Sequence, residues 1–180
     1  MTINLIDLAT VKVQLGLVAD PTYDAQITAM IPIVSSDVRR ILNCEFDQEI
    51  PADFSVSDAT LQAVDGIPMG TVLYHPNFPD NTYIQSFDSN TTFLYTMSET
   101  PTGGGDYVGL TINISQQPAI SKMIFYKITG QTTADAAKVD YKSKSILGVS
   151  KTIADSEINK EYNYPSILIN DLGTPYAEVG

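Results

Sequence analysis

The sequence has no tryptophan, one cysteine and one histidine in 180 residues. Each shortage closes off a chemistry. A single cysteine, Cys44, excludes an internal disulfide. It falls in an apolar helix end with Ile41, Leu42 and Phe46, where a buried, inert thiol is the expected state. The one histidine, His75, stands 31 positions away. Together the two cannot supply the three or four ligands of a zinc site, nor a base beside a nucleophile. No apolar run approaches the ~20 residues that a membrane span needs. The opening "MTINLIDLAT" lacks the basic region and the long apolar core of a signal peptide.

Positive charge is scarce and uneven. The 81 residues from Ile41 to Ser121 hold ten Asp and Glu and no Lys or Arg, within a chain of formal charge −11. Such a stretch repels nucleic acid and argues against sequence-specific DNA reading. Half of the ten bases gather instead at Lys138, Lys142, Lys144, Lys151 and Lys160. They lie in or beside the polar ribbon "YKSKSILGVSKTIADSEINKEYNYPS", residues 141–166. Its apolar residues (Ile146, Leu147, Val149, Ile153 and Ile158) are too few to hold a strand on a monomer. The expectation is therefore a mobile 141–180 in a free subunit.

What is present suffices for a folded core. Hydrophobic residues make up 43% of the chain and aromatics number sixteen, which fits one domain, or one domain with an insertion. Residues 4–16 read as a short helix capped by Asn4 and stopped at Gly16. "ADPTYD" opens a second helix, with Asp20 as cap and Pro21 in the first turn, running to about Asn43. Its stripe is Ile27, Met30, Ile31, Val34, Val38, Ile41 and Leu42, with Pro32 inside it. From Pro51 the segments "GTVLY", "NTYIQSF", "TTFLYTM" and "YVGLTINI" read as short strands, with "PTGGGD" as a hairpin loop. A short helix from Pro118 follows, carrying Ile120, Met123, Ile124 and Ile128. "GQTTADAAK" reads as a polar connector. "YPSILINDLG" predicts a last helical turn or two from Pro165 to Gly173. The fold class is α+β: an N-terminal helical hairpin (1–50), a small antiparallel β module inserted at 51–117, and a C-terminal helix, extended ribbon and tail (118–180).

No enzyme emerges from these residues, and no cofactor. Asp47, Glu49, Asp53 and Asp58 lack the sharp glycine turn of a calcium loop and read as solvated acidic surface. Gly103-Gly104-Gly105 lacks the following Lys-Ser/Thr of a phosphate loop. The tyrosines have no neighbouring bases, which argues against a platform for single-stranded nucleic acid.

The two ends of the chain resemble the head–tail adaptor (connector) proteins of tailed bacteriophages. The first match is "LIDLATVKVQLGLVADPTYDAQITAMIPIVSSDVRRILNCEF". Its short helix, its Gly16-Leu17 pair, its Asp20 and Asp24 start and its long amphipathic helix follow the family's order. The second match is a proline-entered helix, "PAISKMIFYKI", then a Lys-Ser-x-Ser-Ile-Gly-x-x-Ser ribbon and a Tyr-Pro-x-x-Ile segment. The ribbon here is Lys142, Ser143, Lys144, Ser145, Ile146, Leu147, Gly148, Val149, Ser150, one residue longer before its glycine. The likeness covers about 3–46 and 118–180; residues 51–117 depart from it.

The resemblance implies a virion structural protein with no catalysis. It would sit in the neck between capsid and tail after synthesis in the host cytoplasm. It implies a homo-oligomeric ring of twelve copies bound to the portal protein. That ring extends the DNA channel and receives a stopper or tail protein, while genomic DNA passes without sequence-specific binding and no membrane takes part. Subunit-interface residues would be Lys142, Ser143, Lys144, Ser145, Ile146, Gly148 and Ser150. The portal-docking tail would use Tyr164, Pro165, Ile167 and Tyr176. Two other readings stand beside it: another neck or tail-completion protein, and a host-surface or carbohydrate-binding module, which the aromatic β block suggests and the lack of Trp weakens.

Overall fold

The computed structural model describes residues 4–46, 48–89, 93–136, 144–146, 149–151, 158–159 and 164–173. The chain is α+β, with helices and an antiparallel sheet of six strands. It divides into two compact units. One comprises Glu45–Ser115 with Met1–Leu5, and the other Ile6–Cys44 with Gln116–Gly180.

The second unit is helical. Helix α1 (Leu8–Leu15) starts on Asp7 rather than Asn4. The Asp7 carboxylate accepts from the Thr10 backbone N–H and from the Thr10 hydroxyl, each at 2.8 Å, and so satisfies a donor that the first turn leaves open. Gly16 ends the helix at φ 69°, a left-handed conformation that a side chain would resist. Helix α2 (Asp24–Leu42) begins a turn later than the Asp20-Pro21 signal implies. Asp20 accepts instead from the Thr22 N–H at 2.9 Å and closes a turn of its own. Asp24 then opens the helix, held by Lys12 of α1 at 2.8 Å. Ile27, Ile31, Val34, Val38, Ile41 and Leu42 are buried at the expected helical period.

Helix α3 (Gln117–Ala136) is longer than the sequence suggests. The stretch expected as a polar connector continues the helix as far as Ala136. Ala134 and Ala136 are strong helix formers, and Gly130 costs only ~1 kcal/mol in a helix that is already nucleated. The helix buries Ala119, Ile120, Met123, Ile124 and Ile128, and it packs against α1, α2 and α4 (Ser166–Leu172). Cys44, expected to be buried, is partly exposed.

The other unit is a single sheet of β1 (Gln48–Phe54), β2 (Thr60–Ala63), β3 (Thr71–Tyr74), β4 (Ile84–Ser89), β5 (Leu94–Met97) and β6 (Gly105–Asn113). The strand order is β3-β6-β1-β2-β5-β4, every pairing antiparallel. The two edge strands meet at one end. Val72 bridges Tyr83, and the Leu73 N–H donates to the Thr82 carbonyl at 2.8 Å. The sheet thus curls on itself and shortens its exposed edges.

Two features depart from the sequence reading. β1 is a central strand although it contains Pro51, which the acidic run around it disguised. A proline cannot donate to a ladder, and the β1–β6 register shifts between Pro51 and Phe54, a bulge that tolerates it. "PTGGGD" is not a hairpin loop, because β5 and β6 are not neighbours; the segment crosses between separate places in the sheet. It is tied down by Asn77, whose Nδ2 donates to the Gly104 carbonyl and whose own carbonyl accepts from the Thr102 N–H, both at 2.8 Å.

The core of this unit gathers Ile50, Phe54, Leu61, Ile84, Tyr95, Met97 and Val108. Tyr95 keeps its polar end satisfied by accepting from the Ile67 N–H at 2.7 Å. Phe54 packs against Phe78 (ring centroids 4.5 Å apart) and His75 (4.9 Å), directly beneath Gly105. A methyl group at Gly105 would run into the Phe54 ring and sit 3.1 Å from His75 Nε2. Gly105→Ala should therefore destabilise the sheet by about 1–3 kcal/mol through overpacking. Gly66→Ala, whose added carbon meets nothing nearer than 3.8 Å, should be close to neutral. Urea unfolding of both variants checks this, and equal stabilities would refute the packing assigned to Phe54.

Candidate functional site

Four short strands are described between the end of α3 and α4. Among them, β7 (Lys144–Ile146) pairs antiparallel with β8 (Val149–Lys151) in a two-stranded sheet. The register sets Lys144 opposite Lys151, Ser145 opposite Ser150 and Ile146 opposite Val149. β9 (Ile158–Asn159) pairs with β10 (Tyr164–Pro165) in another. Among the described residues, neither pair joins the six-stranded sheet. Lys144, Ser145, Ile146 and Ser150 of the expected interface set thus lie on the β7–β8 ribbon. Lys142, Ser143 and Gly148, and Tyr176 of the expected tail, lie outside the described residues.

The base of the ribbon is fastened by Tyr164, which is fully buried. Its hydroxyl donates to Asp37 Oδ2 of α2 at 2.7 Å. The same oxygen lies 3.5 Å from Lys127 Nζ of α3, and that ammonium also stands 4.6 Å from the centre of the Tyr164 ring. Arg40 reaches the other Asp37 oxygen at 3.5 Å. One carboxylate therefore joins α2, α3 and the returning chain, with a cation–π contact added on the ring face. Burial above all, then the hydrogen bond to Asp37 and the charge of Asp37, push the Tyr164 phenol far above its ordinary range. Its proton stays on oxygen and keeps donating.

A second anchor lies beyond it. Gln116 Nε2 donates to the Leu172 carbonyl at 2.8 Å, and Leu172 is buried. Of the residues expected to form a docking tail, Tyr164 and Pro165 are thus buried in their own chain, Tyr164 with its hydroxyl on Asp37. Ile167 is 48% exposed. The sequence carried no signal for Asp37, Lys127 and Arg40 in this role, because Asp37 and Tyr164 meet across 127 positions.

The other titratable residues singled out from the sequence do not converge. His75 is buried among Phe54, Phe78 and Tyr107, and its Nδ1 accepts from the Asn77 N–H at 3.0 Å. Glu49 and Asp53 are exposed on β1. Asp58 is exposed too, and the Thr60 hydroxyl and N–H hold its carboxyl below the usual range. Among the described residues, no group of three or more His, Cys, Asp or Glu could hold a metal ion, and no helix is long and apolar enough to cross a membrane.

The chain matches no protein-family model and no curated protein.

Tyr164→Phe removes one hydrogen bond to a carboxylate that keeps Lys127 and Arg40, so the variant should lose about 1–2 kcal/mol at neutral pH. The pH dependence has a definite sign. The folded state raises the phenol pKa, so the contribution is complete below the ordinary tyrosine value of 10.0 and falls as the unfolded chain ionises above it. Chemical denaturation of both proteins from pH 7 upward should show the wild-type advantage shrinking above pH 10. A gap that stayed constant would refute the assigned hydrogen bond.

Proposed function

We propose that this chain is a non-catalytic virion structural protein, a head–tail adaptor that forms a ring under the portal of a tailed bacteriophage. The ring, of twelve copies, extends the DNA channel and receives a stopper or the tail. One observation carries the reading. The segments that resemble adaptors, about 3–46 and 118–180, match the two stretches that come together as the helical unit, Ile6–Cys44 with Gln116–Gly180. The stretch that departs from the resemblance, 51–117, falls in the other unit, Glu45–Ser115. The β unit then reads as an insertion into an adaptor core of helical hairpin, C-terminal helix and ribbon.

The ribbon fits the same reading. It is a polar segment pinned at its base, and a two-stranded ribbon alone is marginal in water. Contact with a neighbouring subunit or the portal would add apolar burial to a segment whose sequence offers little of its own. Partner contacts fall to the ribbon and to Ile167, with Tyr164 acting as the fixed root from which they project. An insertion without Lys or Arg has nothing to grip a passing duplex, so like charge favours sliding over sticking.

Electron microscopy of particles made without this chain tests the proposal. Heads should package DNA, lose it and remain tailless, and purified protein added back should restore tail joining. Particles that keep their DNA and carry tails in its absence would end the adaptor reading.

A further inference from the structure

The outward face of the six-stranded sheet sets two fixed aromatic rings beside carboxylates that nothing neutralises. Along β1 the side chains of Ile50, Ala52 and Phe54 enter the core, so Glu49, Pro51 and Asp53 occupy the opposite face and are exposed. The register continues that face onto β6 and β3. Gly109 lies opposite both Glu49 and Tyr74, and Tyr107 lies opposite Pro51. Tyr74 and Glu49 therefore flank one glycine across the strands, with Tyr107 two residues along β6. Each ring is held on one side and open on the other. A Cβ on Gly109 would stand 3.5 Å from Tyr74 Cδ1, so the Tyr74 ring rests against the glycine. Tyr107 is braced by the buried His75, ring centroids 4.8 Å apart. Even so, the two tyrosines are 45% and 37% exposed. Diagonal neighbours on antiparallel strands lie about 7–8 Å apart, which leaves room for a flat group against either ring.

Charge selects the occupant. No Lys or Arg lies between Ile41 and Ser121, and among the described residues neither Glu49 nor Asp53 enters an ion pair. A guanidinium answers both features of the face. It stacks its plane on an aromatic ring and meets a carboxylate with two parallel N–H donors, whereas an ammonium offers a point charge. Glu49 and Asp53 are four residues apart on one strand, roughly 13 Å. Side chains four residues apart on an extended peptide have the same spacing.

We propose that this face binds an arginine-bearing extended segment of another protein, one guanidinium lying on Tyr74 beside Glu49 and a second meeting Asp53. Cation–π contact and charge-assisted hydrogen bonds act together on the first arginine, and the two braced rings need no reordering to receive it. The site lies wholly within the β unit, outside the stretches that resemble adaptors, and so does not rest on the adaptor reading.

Nuclear magnetic resonance of the full-length protein at low salt tests it, with a short Gly/Ser peptide carrying two arginines four residues apart. The ring resonances of Tyr74 and Tyr107 should shift during the titration. The same peptide with citrulline, which keeps the planar side chain but not the charge, should bind about tenfold more weakly or worse, and the lysine peptide about threefold more weakly. Tyr74→Ala and Glu49→Gln should each weaken the arginine peptide about fivefold. Tyr74→Phe keeps the ring and should keep the affinity, which separates loss of the platform from loss of the fold. Glu99→Gln, an exposed acid outside this row, should leave binding unchanged. Equal binding of the citrulline peptide would overturn the proposal, and so would equal binding of the lysine peptide, the mark of diffuse attraction to an acidic surface. Wild-type affinity in a folded Tyr74→Ala protein, or shifts confined to residues away from this face, would overturn it as well. Tail joining in particles answers separately, so this site and the adaptor reading can fail independently.

Discussion

The burial of α3 is the constraint on which the helical unit depends. The N-terminal helices offer an apolar stripe on α2 and the buried Val11 and Leu15 of α1, and these need a cover. Ala119, Ile120, Met123 and Ile124 of α3, all 2% exposed or less, are buried with them, and α3 packs on both helices. Truncating one such side chain typically costs ~2–5 kcal/mol, a large part of the stability of a small unit. The other contacts follow from this placement. Gln116 at the entrance of α3 holds the Leu172 carbonyl, and Lys127 on its body meets Asp37 and Tyr164. A helix that begins as a core element thus also carries the fastening of the ribbon.

Much of this was legible in the sequence because the signals were local. The period of Ile27, Ile31, Val34 and Val38 defines α2 without any partner, and Gly16 and Gly173 mark helix ends through their own backbone freedom. Four of the six strands were readable from β-branched and aromatic runs. The misses have a common cause. β1 depends on neighbours that accept a bulge at Pro51, and the far half of α3 depends on a helix already nucleated upstream. The strand order and the Asp37–Tyr164 contact are long-range properties that no window of residues encodes. The acidic face was half visible: composition revealed the missing bases, whereas only register brings Tyr74, Gly109 and Glu49 into one row.

Charge is partitioned along the chain in a way that the two units make meaningful. Glu45–Ser115 carries acid without base, while the ribbon collects lysines with little apolar surface. Like charge within each region weakens it slightly on its own, and a pair of opposite charges at a surface acts over about a Debye length, ~8 Å at physiological salt. Exposed pairs of this kind add little affinity singly. Their main effects are on orientation and on the rate of encounter.

The discontinuity of the helical unit has a consequence for synthesis. Leu42, the last residue of α2, leaves the ribosome 71 residues of β unit ahead of Gln116, the entrance to α3. At cellular elongation rates that interval is roughly 4–14 s. Throughout it, Ile27, Ile31, Val34 and Val38 have no α3 to cover them, while every strand from β1 to β6 becomes available for pairing. The β unit can therefore complete itself first and bring its two ends to a fixed separation, which reduces the loop-closure entropy that α3 must overcome to find α2. The insertion that delays the helical unit on the ribosome is also what shortens the search at its end.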